Sequence, residues 1–552
     1  MNFTLTLLRV IFTQILLLSF YNASLAQSSE PWSVTVASVA EGKLAGKTLK
    51  SGIRVFRGIP YAAPPVGNLR WKLPQPVDEW DGIRPAIDFS ARPVQKSGIL
   101  YEFRSETMDE DCLYLNIWTS AKSDKERLPV YVFIHGGSFI HGDGSQPAYD
   151  GESMAKEGVV YVSINYRLGV FGFMSHPELS KESPNGSSGN YGLLDQTAAL
   201  KWIQKNINAF GGDPNRVTIG GESVGSQSIS AHLVSPLSRG LFAGAIAQSG
   251  SLLDTRPLTL SLKESEEMGL ALARSAKVGS LADLRELSAE HLLKIASKNN
   301  PRRFKPVVDG YFLDDFPLND FTSGNQAKVP LLVGWNADEV PSAALFRFRK
   351  ATPKNLKKAV ERLYGTDAEE LLKYYSIKNK KQIRKAGSAI ISDHLINYSS
   401  WKLADLHANK KAPVYRYLFA HPHPGLTSRK MNSGSFLQVL GKRLINNIIA
   451  ETAFHAAEIE YALGNLDVQG NYDWDEDDYK VSRQMQSYFV NFIKTGNPNG
   501  QGIDQTVLTR WPKLEPKTNE KFMEIGLESK VQSDKSRERY MLLQKLGSPS
   551  GE

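Results

Sequence analysis

Ser223 lies in a sequence pattern that could make its hydroxyl a nucleophile. The residues Gly-Glu-Ser-Val-Gly occupy positions 221–225, directly after a predicted strand at 217–219 and before a predicted helix at 226–234. A sharp turn from strand to helix holds a serine in strained backbone geometry with its hydroxyl exposed, and flanking glycines leave room for that turn. The pattern therefore predicts a nucleophile elbow centred on Ser223.

A serine hydroxyl becomes reactive when a histidine accepts its proton and a carboxylate orients that histidine. In enzymes with a nucleophile elbow, the carboxylate and then the histidine follow the serine along the chain. A predicted strand at 330–333 precedes Asp338 and Glu339, and either carboxylate qualifies. The histidines beyond them are His394, His407, His421, His423 and His455. Spacing alone chooses neither the carboxylate nor the histidine.

A glycine loop earlier in the chain could supply backbone donors to a negatively charged oxygen. The residues His-Gly-Gly-Ser-Phe occupy positions 135–139, directly after a predicted strand at 130–134. Glycines allow backbone N–H groups to approach a substrate closely, and such a loop commonly completes an oxyanion hole. A plain tight turn is the alternative interpretation. Its position ahead of the elbow in the chain favours the functional one.

Several buried runs predict the elements that must position these residues. Branched apolar runs at 128–134, 159–164 and 217–219 are typical of strands covered on both faces, and residues 192–210 have helical spacing. Further strands are expected at 241–247, 330–333 and 414–419, with Lys-rich helical segments between about 352 and 385. Alternation of strands and helices predicts an α/β fold with a large, mostly parallel, twisted central sheet and helices on both faces.

Composition excludes several classes of protein. The chain has 552 residues, of which 41% are hydrophobic and 22% charged, an ordinary globular mixture. A net charge of +8 spread over this length is too dilute for a nucleic-acid groove, so no nucleic-acid partner is expected. We expect one domain over residues 27–545 and a disordered tail over 546–552, where small and polar residues predominate.

The first 26 residues have the pattern of a secretory signal peptide. Arg9 precedes an apolar stretch at 10–21 that is too short to span a bilayer, and Ser24-Leu25-Ala26 matches the small-x-small cleavage pattern. A retained anchor helix is the alternative. The sequence predicts a secreted product, periplasmic or extracellular, with no stable membrane anchor. Cys112 is the only cysteine, so the chain has no internal disulfide, and its apolar setting predicts a packed, unreactive thiol.

Together these residues resemble the type-B carboxylesterase/lipase family, which includes cholinesterases and bacterial para-nitrobenzyl esterases. The resemblance runs nearly from end to end of the chain. It is carried by Phe-Arg-Gly-Ile-Pro-Tyr-Ala at 56–62, Glu-Asp-Cys-Leu-Tyr-Leu-Asn at 110–116, Asn-Tyr-Arg-Leu-Gly at 165–169, Gly-Asn-Tyr-Gly-Leu-Leu-Asp-Gln at 189–196, Ala-Phe-Gly-Gly-Asp-Pro at 209–214 and Asn-Phe-Ile-Lys-Thr-Gly-Asn-Pro-Asn at 491–499. It implies an α/β-hydrolase fold.

The resemblance also implies which residues form the site. The family's acid falls on Glu339 and its histidine on His455, while its oxyanion donors fall on the N–H groups of Gly137, Ser138 and Val224. Four positions depart from the family pattern, although none removes a catalytic atom: Ser138, Val224, Val340 and Thr452. The branched side chain of Val224 could narrow the acyl side of the pocket. The family's usual cysteine partner for Cys112 is missing at 91–95, which suits a bacterial periplasmic or secreted esterase.

These expectations define a serine carboxylic-ester hydrolase that works through an acyl-enzyme and needs no metal or cofactor. Its partner would be a small-molecule ester. Two alternatives are a catalytically silent, esterase-like adhesion or binding module and a peptidase on the same fold. The oligomeric state and the natural substrate are not predicted.

Five basic residues lie in segments that flank the acid loop. They suggest a mouth that prefers esters bearing carboxylates, with ordinary solvated surface as the alternative. These residues are Arg302, Arg303, Arg347, Arg349 and Lys350.

Overall fold

A computed structural model describes most of the chain after the predicted signal peptide. The described residues are 33–96, 102–298, 300, 304–347, 349–409, 412–433, 439, 441–443, 446–447, 450–515 and 520–547. The signal peptide predicted at 1–26 lies outside them.

A sheet of thirteen strands forms the centre of the molecule. The strands are β1 (Ser33–Val39), β2 (Gly42–Thr48), β3 (Arg54–Pro60), β4 (Ile83–Pro85), β5 (Tyr114–Thr119), β6 (Leu128–Ile134), β7 (Val160–Ile164), β8 (Gly212–Glu222), β9 (Gly244–Gln248), β10 (Leu331–Asn336), β11 (Val414–Phe419), β12 (Lys521–Ile525) and β13 (Lys530–Ser533).

The order of strands across the sheet is β1-β2-β3-β5-β7-β6-β8-β9-β10-β11-β12-β13, and β4 pairs with β2. The run from β7 to β12 is parallel throughout, whereas both ends of the sheet are antiparallel. Because the central strands are parallel, their carboxyl ends meet at one edge of the sheet, where such folds place their ligands.

The α-helices of the described residues connect and cover these strands. They are α1 (Glu152–Lys156), α2 (Gly169–Phe173), α3 (Pro177–Glu182), α4 (Tyr191–Asn206), α5 (Val224–Val234), α6 (Leu262–Ala276), α7 (Leu281–Glu286), α8 (Ala289–Ala296), α9 (Pro317–Ser323), α10 (Ser342–Phe346), α11 (Pro353–Tyr364), α12 (Ala368–Leu372), α13 (Lys380–Ser392), α14 (Tyr398–Ala408), α15 (Ser428–Met431), α16 (Ile459–Leu463), α17 (Leu466–Gln469), α18 (Glu476–Thr495) and α19 (Arg537–Gly547).

The side chains of β6 alternate between the two faces of the sheet, which shows why helices cover both faces. Val132 and its neighbours two residues away face one hydrophobic cluster, which includes Ile229 of α5, whereas Phe133 faces a second cluster, which includes Phe489 of α18. Successive side chains of a strand point to opposite faces, so a run that is apolar at every position needs cover on both sides. The predicted α/β fold with a large, mostly parallel central sheet is confirmed.

Element boundaries agree with the sequence analysis where a buried run is uninterrupted. The strands predicted at 128–134 and 414–419 have those bounds. The helix predicted at 192–210 is α-helical only to Asn206 and then tightens into a 3₁₀ turn, Ile207–Phe210, that ends at Gly211 with φ of 79°. A left-handed glycine is a common helix terminator.

The disordered tail over 546–552 stays a prediction, and its first two residues belong to helix α19. Helix α19 continues through Gly547, and Leu546 packs against a hydrophobic cluster that contains Leu543. That contact favours one more helical turn than the composition of the tail suggests. Residues 548–552 lie outside the described part of the chain.

Two further sequence expectations concern the thiol and the membrane. Cys112 is buried just ahead of β5, and burial raises the pKa of its thiol well above the ordinary value, as expected for an unreactive packed cysteine. Among the described residues, no helix combines the length and the apolar composition that crossing a bilayer requires.

Candidate active site

Ser223 occupies a sharp turn between β8 and α5. Its backbone has φ of 59° and ψ of −120°, and its N–H donates to the carbonyl of Gln248 at 2.8 Å. A non-glycine residue with positive φ is strained, and such strain persists only where the surroundings impose it. Here the turn is held by β9, since Glu222 pairs in register with Gln248.

Close packing explains the glycines on either side of this turn. A Cβ atom at Gly225 would lie 2.1 Å from the carbonyl oxygen of Ile134, and one at Gly221 would lie 2.7 Å from the same oxygen. The elbow therefore rests directly on the end of β6. A side chain at either position would push the serine away from that strand.

The structure brings Ser223, His455 and Glu339 into one hydrogen-bonded line. The Nε2 atom of His455 lies 3.0 Å from Oγ of Ser223, and its Nδ1 atom lies 2.6 Å from Oε2 of Glu339. The glutamate side chain is fully buried, whereas 34% of the imidazole surface is exposed. This geometry allows the imidazole to accept the serine proton while the carboxylate fixes its tautomer.

Backbone hydrogen bonds hold the acid and the histidine together. Asn336 at the end of β10 donates its N–H to Oε1 of Glu339 at 2.8 Å, and the N–H of His455 donates to the carbonyl of Glu339 at 3.2 Å. The neighbouring Asp338 contacts Ala453 instead, where its Oδ2 lies 3.4 Å from the backbone nitrogen. Of the two carboxylates left open by spacing, Glu339 is the one beside the imidazole.

The other four candidate histidines have partners elsewhere. A ring nitrogen of His394 contacts the hydroxyl of Tyr364, and one of His407 contacts the carbonyl of Val329. In the same way, His421 contacts the carboxylate of Asp478, and His423 contacts the carbonyl of Pro424. These contacts give each of them a packing role.

The glycine loop after β6 lies beside the nucleophile. A Cβ atom at Gly136 would be 3.2 Å from Cβ of Ser223. Gly137 has φ of 106°, and a Cβ atom there would lie 2.2 Å from the carbonyl oxygen of His141. Ser138 also has positive φ, at 60°. The loop is thus a tight turn packed next to the serine, and its role as an oxyanion hole stays a prediction.

Three backbone donors are free near this loop. The N–H groups of Gly137, Ser138 and Val224 donate no hydrogen bond to any described residue, and Val224 is the first residue of α5. The first N–H groups of a helix have no partner within the helix and attract negative charge. The Val224 side chain is buried in the main hydrophobic cluster.

Buried carboxyl groups that the sequence analysis missed surround the imidazole. Oε1 of Glu222 lies 3.2 Å from Nε2 of His455 but lacks a hydrogen-bond partner among the described residues. Glu458 is also buried, and its carboxyl accepts from Asn336 Nδ2 at 2.5 Å and from Gln248 Nε2 at 3.3 Å. These groups link the end of β10 to the elbow.

This setting changes the acidity of the groups. Burial raises the pKa of Glu222 to about 8 and that of Glu458 to about 7, because it disfavours the charged form of each carboxyl. Although burial by itself lowers the pKa of His455, the charge of Glu222, when that carboxyl is ionised, and the charge of Glu339 raise it above the ordinary imidazole value. The site therefore favours the imidazolium that proton transfer creates.

Both missed carboxyl groups stood within motifs already identified. Glu222 is the residue before the candidate nucleophile, and Glu458 is the third residue after the histidine. A charged residue at the end of an otherwise apolar strand is the signal that could have indicated Glu222, because such a residue is rarely buried without a role.

A cavity of about 800 Å³ opens against His455 and Glu339. Of the basic residues singled out from the sequence, Arg349 and Lys350 line it, whereas Arg347 is exposed and is not part of its lining. The pair at 302–303 lies outside the described residues. The cavity therefore borders the histidine and the acid of the candidate site, while Ser223 is not among its lining residues.

Comparison with known proteins gives one consistent result. The model of the carboxylesterase family matches residues 33–543. Fumonisin B1 esterase of Sphingopyxis macrogoltabida is 36% identical over 500 residues, which cover 89% of this chain and 86% of that protein. Para-nitrobenzyl esterase of Bacillus subtilis (strain 168) is 33% identical over 529 residues, covering 92% and 98% of the two chains.

Solved structures agree with the sequence comparison. A carboxylesterase of Geobacillus stearothermophilus superposes with a TM-score of 0.76 at 32% identity, covering 92% of this chain and all of that one (100%). A structure titled PNB esterase superposes with a TM-score of 0.75 at 31% identity, covering 92% and 99%. The likeness thus extends over nearly the whole of each chain.

Proposed function

Since this chain belongs to the carboxylesterase family and is a carboxylic-ester hydrolase, we propose that Ser223, His455 and Glu339 are its nucleophile, base and acid. We further propose that the reaction passes through an acyl-enzyme on Ser223. The retained nucleophile disfavours the alternative of a silent binding module.

One observation carries this proposal. A continuous line of contacts runs from Oγ of Ser223 to Nε2 of His455 at 3.0 Å and from Nδ1 of His455 to Oε2 of Glu339 at 2.6 Å. Both distances lie in the range of a working hydrogen bond. The serine is strained and partly exposed, while the acid is buried, which is the division of roles that such a triad requires.

Acylation begins when Oγ of Ser223 attacks the ester carbonyl carbon and His455 accepts the hydroxyl proton. The carbonyl oxygen becomes an oxyanion, which accepts hydrogen bonds from the N–H groups of Gly137, Ser138 and Val224. Collapse of this tetrahedral intermediate breaks the bond to the alcohol oxygen. His455 then protonates that oxygen, and the alcohol leaves.

Deacylation repeats the cycle with water. His455 accepts a proton from water as its oxygen attacks the acyl carbonyl, and the same three N–H groups receive the oxyanion. Collapse breaks the bond to Oγ of Ser223, and the histidine returns the proton to the serine. The products are a carboxylic acid and an alcohol, so the balance needs no metal or cofactor.

The direct test replaces the nucleophile. We expect Ser223→Ala to fold normally and to lower kcat for a simple aryl ester by at least about 10⁴-fold, since loss of a serine nucleophile removes covalent catalysis. The matched control is Ser275→Ala, which removes an exposed hydroxyl on α6, and it should retain wild-type turnover. Circular dichroism checks that both variants fold.

Labelling by a fluorophosphonate probe gives a second readout. The wild-type enzyme should gain one adduct on the peptide that contains Ser223, and Ser223→Ala should gain none. Full turnover by Ser223→Ala, or an adduct on another serine, would contradict the assignment. Peptide substrates assayed beside esters separate the peptidase alternative, for which we expect no measurable cleavage.

We also propose that residues 1–26 direct secretion and are then removed. The apolar stretch and the Ser24-Leu25-Ala26 pattern support this. Amino-terminal sequencing of the product expressed in a bacterial host should start at Gln27 in the periplasm or medium. A product that retains Met1 within the cytoplasm would contradict the proposal.

A further inference from the structure

The cavity beside His455 has a basic wall. Two short segments supply it, one after α10 and one on α13, and four of its lining residues are cationic: Arg349, Lys350, Arg384 and Lys385. All four are exposed to solvent. His455, Glu339 and Phe454 also line the cavity. A substrate group that enters this cavity beside the imidazole would meet these cations.

These cations have no acidic partners in the part of the chain that the structure describes. Lys357 of the nearby helix α11, by contrast, pairs with Glu369. Clustering cations without counter-charges costs free energy by mutual repulsion, so an unpaired cluster is informative when it borders a candidate active site.

Four cations of the lining face two carboxylates, so positive charge is in excess. Glu339 is buried and engaged with His455, and Asp338 lies against the backbone of Ala453. The remaining described lining includes the apolar side chains of Phe346 and Ala351. Low-dielectric walls concentrate the field of exposed charges within a cleft. The cavity therefore combines an excess of positive charge with apolar side chains in its lining.

We propose that this cavity selects esters that carry free carboxylates, with Arg349, Lys350, Arg384 and Lys385 as the groups that receive them. The inference rests on the proposed function and narrows its substrate class. Arginine presents a planar fork that matches a carboxylate, and lysine adds a compact charge. Because the cations occur as two pairs on two segments, the cavity can hold an acid with more than one carboxylate.

The test compares two substrates that differ only in charge. Mono(4-nitrophenyl) adipate and its methyl ester share the leaving alcohol and the chain length, but only the first carries a carboxylate. At about 10 mM salt we expect kcat/KM to be at least about tenfold higher for the anionic ester. At about 0.5 M salt the ratio should approach one, because exposed charges are then screened.

Matched double variants test whether the four cations cause the preference for the anionic ester. We expect R384Q/K385Q and R349Q/K350Q each to lower the anionic-to-neutral ratio by about threefold to tenfold at low salt. The control K380Q/K381Q removes the same charge from an exposed turn of the same helix, outside the cavity, and should leave the ratio unchanged. Circular dichroism checks that each variant is folded.

Binding measured without turnover separates this inference from the proposed function. Ser223→Ala should bind the anionic ester in a titration, and adding R384Q/K385Q should weaken that binding by a similar factor. Equal kcat/KM for the two esters at low salt, or a ratio that neither R384Q/K385Q nor R349Q/K350Q changes, overturns the inference alone. Normal turnover by Ser223→Ala overturns the proposed function, while the binding titration still reports on charge selection.

Discussion

The two sides of the candidate site are built in different ways. The nucleophile side stands at the ends of β6, β8 and β9, within the main hydrophobic cluster, and has glycine contacts as close as 2.1 Å for an added Cβ. The wall that carries the four cations is made of α13 and the segment after α10, which pack around a separate cluster with Leu345, Val360 and Ile390.

This difference assigns catalysis to the nucleophile side and the choice of ester to the cationic wall. Strand ends buried on both faces hold reacting groups to within a fraction of an ångström, because packed interiors deform little. Exposed segments on a separate small core tolerate substitution more easily. We therefore expect changes on the nucleophile side to abolish turnover and changes on the wall to alter which ester is preferred.

Replacing the acid should give the largest effect, because Glu339 joins the two sides. We expect Glu339→Gln to lower kcat by about 10⁴-fold, since a neutral amide neither fixes the productive tautomer nor stabilises the imidazolium. The measurement is kcat for an aryl ester. Asp338→Asn, at the neighbouring carboxylate, should cause a far smaller loss. Similar losses in the two variants would contradict the choice of Glu339.

A methyl group on the nucleophile side tests the rigidity of that side. We expect Gly225→Ala to destabilise the fold by about 1–3 kcal/mol, because its Cβ would lie 2.1 Å from the carbonyl oxygen of Ile134. Displacing the serine by about 1 Å should lower kcat by about 10²-fold. Thermal unfolding and aryl-ester kinetics measure the two effects.

The control for that change is Gly526→Ala. A Cβ at Gly526 meets no other atom within 4 Å, and its backbone φ lies outside the positive range. We expect wild-type stability and turnover. If Gly225→Ala keeps the same stability and turnover as Gly526→Ala, the contrast between the two regions is wrong.

The buried carboxyl on the nucleophile side should make a smaller, pH-dependent contribution. Burial raises the pKa of Glu222 to about 8 from an ordinary value near 4.5. Between these pH values the native carboxyl keeps a proton that the unfolded chain has lost, so the contribution of Glu222 to stability is fully present below pH 4.5 and disappears as pH rises through about 8.

Glu222→Gln removes this titration and keeps the shape of the neutral carboxyl. The Tm of the variant relative to wild type should therefore be higher at pH 8 than at pH 5, by a few degrees. Glu290→Gln, an exposed position on α8, should show the same difference from wild type at both pH values. A Tm difference for Glu222→Gln that stays constant with pH would mean that the carboxyl is already ionised at pH 5.

Local sequence was sufficient for the elements of the central sheet. Runs such as 128–134 and 414–419 are apolar at nearly every position, and only a strand covered on both faces accommodates them at that length. The elbow was also predictable, because the strained serine and its glycines are adjacent in sequence.

Contacts between distant segments were not predictable in the same way. Spacing left two carboxylates and several histidines open, and the family resemblance, not the physics of the local sequence, pointed to Glu339 and His455. The contacts of Asn336 with Glu458 and of Glu222 with His455 join residues far apart in the chain. Likewise, Arg384 and Lys385 look like any exposed helical charges until tertiary structure places them on the cavity wall.

The residue after the acid is bonded to the cationic helix at two points. The N–H of Val340 donates to the hydroxyl of Ser392 at 3.0 Å, and its carbonyl accepts from the hydroxyl of Ser388 at 2.7 Å. These two hydrogen bonds fix the position of helix α13 relative to the acid. A charge moved one turn along the helix shifts by about 5.4 Å, while the two hydrogen bonds stay in place. Moving a charge along α13 is thus a way for protein engineers to change the length of the acid that the enzyme prefers.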